Sequence, residues 1–223
     1  MQPSDIDDVA ALNDQLARDH DIDAYYAASP LPIRVIERQR LAMVRELAAA
    51  RAGDRIVDVG CGGGHVLGMF EDAELVGVDV SSVMLDKARH NLRGRAVTLL
   101  HGELAEVGLA DDSFDVAICT EVLEHVIDPR AVLAEIQRVM RPGGVVVVTF
   151  PNDELIGRIK GAVTTTGLSR LPPFNDMEWG GDHYHLHVWS RAEMRALLSE
   201  FFRVLDDRAV PAEWLPIRCC FRC

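Results

Sequence analysis

The chain has 223 residues, 48% hydrophobic and 26% charged, with a formal net charge of −12, an ordinary globular composition long enough for one α/β domain with a modest extra segment. An acidic surface repels phosphate backbones, which argues against nucleic acid as a partner, and there is no run of about 18 apolar residues to span a membrane. The acidic start, Met1–Asp8, lacks the basic and apolar regions of a signal peptide, and the five cysteines (Cys61, Cys119, Cys219, Cys220 and Cys223) are odd in number and unevenly placed, so a cytoplasmic chain without a disulfide framework is expected.

Ile6, Val9, Leu12 and Leu16 recur at helical spacing. Tyr25, Tyr26, Pro30 and Pro32 interrupt the pattern. A second helix is expected over 33–50, with Val35, Ile36, Leu41, Val44 and Leu47 on one side. Its Arg-rich stretch, 34–45, is interleaved with glutamates (Glu37 inside it, Glu46 just after) and reads as a solvated face. Residues 1–52 therefore read as an N-terminal helical cap.

From Gly53 the pattern changes. Apolar runs at 55–59, 74–78, 97–101, 114–119 and 145–150 suit strands buried on both faces, the run at 97–101 being the weakest. Helical stretches at 66–70, 83–92 and 129–140 lie between them. The last has Asp128 as N-cap, Pro129 at its first position and a stop at Arg141-Pro142-Gly143-Gly144. Residues 151–190, with Pro172-Pro173 and Gly180-Gly181, read as an irregular insertion over one end of the sheet. Ser190 then caps a helix through Phe201, with Glu193 completing a capping box, and strands follow near 203–208 and 217–223. Residues 53–223 are thus expected to form an α/β core: a doubly wound, mostly parallel, seven-stranded Rossmann-like sheet with helices on both faces.

The most informative segment is Val57-Asp58-Val59-Gly60-Cys61-Gly62-Gly63-Gly64-His65. A strand delivers the chain into glycines that let a ligand approach the main chain, at the sheet end where open α/β folds bind ligands. A second strand ends in Asp79, whose carboxylate suits a ribose diol. The dinucleotide fingerprint would need glycine where His65 stands, and a phosphate loop would need Gly-Lys-Ser or Gly-Lys-Thr. Asp58 would repel a pyrophosphate and attract an amino group. These features favour a cationic nucleoside ligand without phosphates.

The segment resembles motif I of the class I S-adenosylmethionine-dependent methyltransferases, a strand ending in Asp and then Gly-x-Gly-x-Gly, matched by Asp58, Gly60, Gly62 and Gly64. Asp79 matches the family's ribose-binding acid. His101-Gly102-Glu103-Leu104 resembles the turn where an acid meets the adenine amino group and a backbone N–H meets a ring nitrogen. Ser113–Glu121, Leu123-Glu124-His125-Val126 and Val139–Gly144 resemble the small-molecule branch. The resemblance spans roughly 40–205. It implies cofactor contacts from Asp58, Gly60, Cys61, Gly62, Gly64, Asp79, Val80, Glu103, Leu104, Thr120 and Glu121, with the Cys61 backbone mattering more than its thiol.

What such a transfer needs is a nucleophile aligned with the methyl carbon and, for a hydroxyl acceptor, a base. His125, just past the fourth strand, is the first candidate, and in similar O-methyltransferases a histidine at this place acts on the acceptor. His185 and His187, in Asp182-His183-Tyr184-His185-Leu186-His187, are the fallbacks. The alternating histidines invite a metal reading, but no Cys/His pair at structural-zinc spacing accompanies them, so no metal is expected. Cys219–Cys223 reads as core. Phe174 and Trp179 are candidates to line the acceptor pocket, and Tyr25 and Tyr26 either close over the cofactor or pack. The expected activity is methyl transfer to a small molecule, on oxygen first and nitrogen next. The rivals are a catalytically silent cofactor- or partner-binding module and a nicotinamide dehydrogenase, the latter disfavoured by His65.

Overall fold

The computed structural model describes residues 9–19, 29–170 and 185–223. Two helices, α1 (Val9–Asp19) and α2 (Leu31–Ala48), precede β1 (Arg55–Val59), β2 (Glu74–Asp79), α3 (Ser82–Asn91), β3 (Val97–His101), β4 (Phe114–Thr120), α4 (Pro129–Val139) and β5 (Met140–Pro151). Then come α5 (Asp153–Thr165), α6 (Arg191–Ser199), β6 (Asp206–Ala212) and β7 (Leu215–Arg222). The strands form a seven-stranded sheet in the order β3-β2-β1-β4-β5-β7-β6. Every pair from β3 to β5 is parallel, whereas β7 runs antiparallel to β5 and to β6. The carboxyl ends of β1, β2, β3, β4 and β5 therefore open on one edge.

The uniformly apolar strands divide by alternation into two cores. On one face Ala117, Cys119, Val146, Val148 and Phe221 meet Leu133 and Ile136 of α4 and Met194 and Leu198 of α6. On the other, Val116, Ile118, Val147 and Cys220 meet Val44 and Leu47 of α2 and Leu85 of α3. All five cysteines are buried and unpaired by disulfides, and burial holds the Cys219, Cys220 and Cys223 thiols up at about 12. β3 is an edge strand with no fully buried residue, which is why its hydrophobic signal is the weakest.

Helix ends follow their local chemistry. The Asp128 carboxylate accepts the N–H groups of Arg130 and Ala131, and Ser190 and Glu193 form the expected reciprocal cap.

Several expectations are corrected. The helix at 66–70 shrinks to one 3-10 turn, Leu67–Met69, because the Arg95 guanidinium takes the carbonyls of Gly68 and Phe70 and the chain turns extended at Phe70. Residues 153–165 are helical, not irregular: Asn152 accepts the Leu155 N–H as N-cap, and Asp153 and Glu154 favour the first turn. Gly157 and Gly161 weaken that signal in the sequence. β6 starts at Asp206, later than expected, and runs on to Ala212. On α2, Val35 is exposed, while Glu37 and Arg40 are buried as an ion pair, so the Arg-rich stretch is not a wholly solvated face. Pairing is what allows two charges to leave water there.

Leu133 is completely buried between α4 and the sheet. Leu133→Ala is expected to lower the unfolding free energy by about 2–5 kcal/mol, checked by urea denaturation with an unchanged m-value.

Candidate active site

The loop after β1 is built by its own backbone. The N–H groups of Gly60 and Cys61 donate to the Val78 carbonyl (2.8 and 3.1 Å), and the Gly64 N–H donates to Cys61 (2.9 Å). Gly60 (φ +69°) and Gly64 (φ +77°) lie in the left-handed region, and a Cβ would drive into Val122 at the first and Leu92 at the second. Both conformation and space thus demand glycine. Cys61 is buried beneath the turn, with Sγ close to the position a Cβ on Gly77 would take.

Asp79 closes the loop. One of its carboxylate oxygens accepts the Gly62 N–H and the other the Ser81 N–H, both at 2.8 Å. Burial pushes its carboxyl up, and the two N–H groups partly oppose that. Each oxygen keeps lone-pair capacity for a further donor. Beside it, the Val80 carbonyl meets His101 Nε2 at 2.9 Å. Glu103 is exposed on the next turn and Leu104 is buried.

Asp58 differs in kind. It is 1% exposed, and neither carboxylate oxygen has a hydrogen-bond partner. Burial raises its carboxyl well above the usual range, the Asp79 charge raises it further, and Arg40 opposes both. A buried acid of this kind, facing a loop of close-approach backbone, fits a ligand that brings a positive amino group. That is the fit expected of the cationic nucleoside inferred from the loop.

Arg40 belongs to a buried chain of charges. It pairs with Glu37 (2.8 Å), Glu37 meets Arg218 of β7 (3.2 Å), and Arg218 meets Glu121 (3.1 Å). Glu121 adopts φ +56° at the end of β4, and its Oε1 accepts the Thr149 hydroxyl at 2.8 Å. Thr120 pairs with Thr149 in the β4–β5 register. From the N-terminus, Asp14 of α1 accepts the hydroxyls of Ser81 (2.6 Å) and Ser82 (3.0 Å), which fastens α1 beside the Asp79 loop.

The histidines gather on the other side of the crevice. The His125 and His185 rings meet edge-on at 4.8 Å, and His185 Nδ1 lies 2.8 Å from Asp153. The Glu124 carbonyl accepts the N–H groups of Leu186 (2.7 Å) and His187 (3.2 Å), so the histidine segment is sewn to the turn after β4. Glu124 itself is buried; burial first, and then Glu121, push its carboxyl well up. His187 Nε2 donates to the Val126 carbonyl (3.0 Å), and its ring stacks on Trp189. The two halves adjoin: Val122 presses on Gly60, and the Cys119 thiol, pushed up first by burial, is raised further by both Glu124 and Asp58.

The structure thus brings Asp58, the glycines, Cys61, Asp79 and Val80 together, sets Glu103 and Leu104 on the neighbouring turn, and groups His125 with His185. It ties Glu121 to Arg218 and Thr149. Tyr25, Tyr26, Phe174, Trp179, Asp182, His183 and Tyr184 lie outside the described residues. Arg40, Glu37, Arg218, Asp14 and Asp153 were not foreseen; the one local signal was Asp153 in an acidic first helical turn.

Residues 57–148 match the family model described as a methyltransferase domain. The chain is 31% identical over 160 residues to a ubiquinone biosynthesis O-methyltransferase of Methylococcus capsulatus, covering 70% of this chain and 64% of that one. It is 40% identical over 117 residues to the protein of the same name from Hahella chejuensis, covering 50% and 49%. The chain thus spans less than two thirds of these relatives' length. Among solved structures, the N-methyltransferase NodS of Bradyrhizobium japonicum, in complex with S-adenosyl-L-homocysteine, superposes with a TM-score of 0.68 at 16% identity, covering 96% of this chain and 97% of that one. The fold is the one seen in this solved methyltransferase, and residues 57–148 are similar in sequence to the methyltransferase domain.

Because Asp58 has its folded pKa raised, the stability it contributes is present at low pH and lost as pH rises through that pKa. Asp58→Asn is therefore expected to raise the melting temperature of the ligand-free protein at pH 8, by about 2–4 °C for each kcal/mol recovered. The gap should close on acidification. Thermal melts of both proteins from pH 4 to 8 check this; a gap that widens toward acid would contradict the assignment.

Proposed function

We propose that the protein binds S-adenosylmethionine across the ends of β1, β2 and β3 and transfers its methyl group to a small-molecule acceptor, on a hydroxyl oxygen first and nitrogen next. The observation that carries this reading is the buried, unpartnered Asp58 carboxylate at the glycine loop, which calls for a cationic ligand. The curated relatives named O-methyltransferases favour oxygen. When bound, S-adenosylmethionine supplies an electrophilic methyl group on a sulfonium sulfur.

In this reading Asp58 receives the amino group of the methionyl moiety, and Asp79 accepts the ribose diol through its remaining lone pairs. Glu103 and the Leu104 N–H take the adenine edge, and Thr120 and Glu121 line the β4 end. The acceptor approaches from the histidine side. Asp153 orients the His185 ring through Nδ1, and His125 lies against it. Removal of the acceptor proton falls to this pair, with His125 nearest the turn after β4. The hydrogen bond to Val126 gives His187 a packing role. Among the described residues no helix is long and apolar enough to cross a membrane, and buried, unpaired thiols suit a reducing cytoplasm.

Calorimetric titration with S-adenosylmethionine and S-adenosylhomocysteine is expected to give micromolar binding of both; absence of both would overturn the proposal. Asp79→Ala should weaken that binding at least about tenfold, the loss of one charge-assisted contact, with an unchanged circular dichroism spectrum.

His125→Ala should lower turnover on an acceptor found by labelled-methyl screening by about 10²–10⁴-fold while leaving the cofactor Kd within error. Full activity would remove His125 from the mechanism.

A further inference from the structure

The turn after β4 carries a second carboxylate that the fold leaves unsatisfied. Glu124 is 1% exposed, and neither Oε1 nor Oε2 has a hydrogen-bond partner. A buried carboxylate without a donor is strongly unfavourable, so the site is short of positive charge. Arg218 attracts it, but that guanidinium is shared between Glu37 and Glu121, and the carboxylates of Glu121, Glu124 and Asp153 outweigh it.

Two imidazoles stand at the same place. One donor atom each from Glu124, His125 and His185 lies within 4.8 Å of the others. The Glu124 carbonyl holds the segment that bears His185, so the carboxylate and that imidazole are anchored to one turn. Asp153 engages His185 through Nδ1 at 2.8 Å. A carboxylate behind the outer nitrogen of a histidine is the usual support of a metal-binding imidazole: it sets the tautomer and raises the basicity.

We infer that Glu124, His125 and His185 form a divalent transition-metal site, with Asp153 as the residue that positions His185. The donor set decides the class of ion. Two imidazoles and a carboxylate suit zinc and its neighbours, whereas magnesium and calcium take oxygen ligands. Three protein ligands leave a position open for water or for an oxygen of the acceptor. Zinc–nitrogen bonds of about 2.0–2.1 Å place tetrahedral donors roughly 3.4 Å apart, against separations of up to 4.8 Å here, so binding requires the group to contract by up to about 1.4 Å. The absence of metal expected from the sequence weighed only Cys/His spacing, and this set draws its donors from two distant segments. The inference rests on the proposed acceptor side of the cleft and changes the task of its two imidazoles: with an ion bound they hold it through their lone pairs and do not themselves take the acceptor proton; its test does not depend on methyl transfer.

The test uses the full chain, purified without a metal-affinity tag, stripped with a chelator and titrated with Co²⁺. About one equivalent should bind with visible ligand-field absorption, and Zn²⁺ should displace it. Glu124→Gln and His185→Ala should each abolish the absorption, and Asp153→Asn should weaken Co²⁺ affinity about 10–100-fold. Circular dichroism checks that the variants fold. The unsubstituted protein is decisive even if they do not: no stoichiometric Co²⁺ absorption in it overturns the site. So does absorption that survives in both folded variants. S-Adenosylhomocysteine binding, titrated separately on the same stripped protein, tells failure of the metal site apart from failure of the methyltransferase reading.

Discussion

A carboxylate held out of water with no donor of its own is the constraint around which this molecule is arranged. Asp58 sits near the end of β1, an interior strand flanked by β2 and β4. The protein surrounds it with a distant countercharge and a glycine turn, and leaves its own oxygens unpaired. Arg40 supplies that countercharge from outside the sheet, and its own burial requires Glu37, Arg218 and Glu121 in turn. One costly group thereby ties α2, β7 and the end of β4 into a single electrostatic unit.

The sheet order turns that unit into a cleft. Connections run one way from β1 to β2 and β3 and the other way to β4 and β5, which opens a crevice at the carboxyl end of the parallel strands. The loops on one side carry Asp58, Asp79 and Glu103. The loops on the other carry Glu124, His125 and Asp153, joined by the segment that returns at His185. The two sides meet where Val122 presses on Gly60.

The parallel core was legible because buried strands read as continuous runs of Val, Ile and Leu, and because the glycine loop and Asp79 follow one another at short range. Caps were legible for the same local reason, as at Asp128 and Ser190. What escaped was long-range or masked by glycine. The helix Asp153–Thr165 hid behind Gly157 and Gly161. Glu37 and Arg40 look like surface residues until Arg218, far along the chain, is placed beside them. The contact of Asp153 with His185 joins residues 32 positions apart, and no local spacing rule connects them. The histidines themselves were visible, but not the acids that give them direction.

The two hydrogen bonds from Leu186 and His187 to the Glu124 carbonyl have a consequence for how such a protein can diversify. They clamp the returning chain to the core immediately after residues 171–184, while α5 and its 3-10 turn anchor the stretch before them. Both bonds are made by main-chain N–H groups, so they survive any change of the side chains at 186 and 187 short of proline. The place of the His185 ring beside His125 is thus written into the backbone and not into the neighbouring side chains, which are left open to substitution.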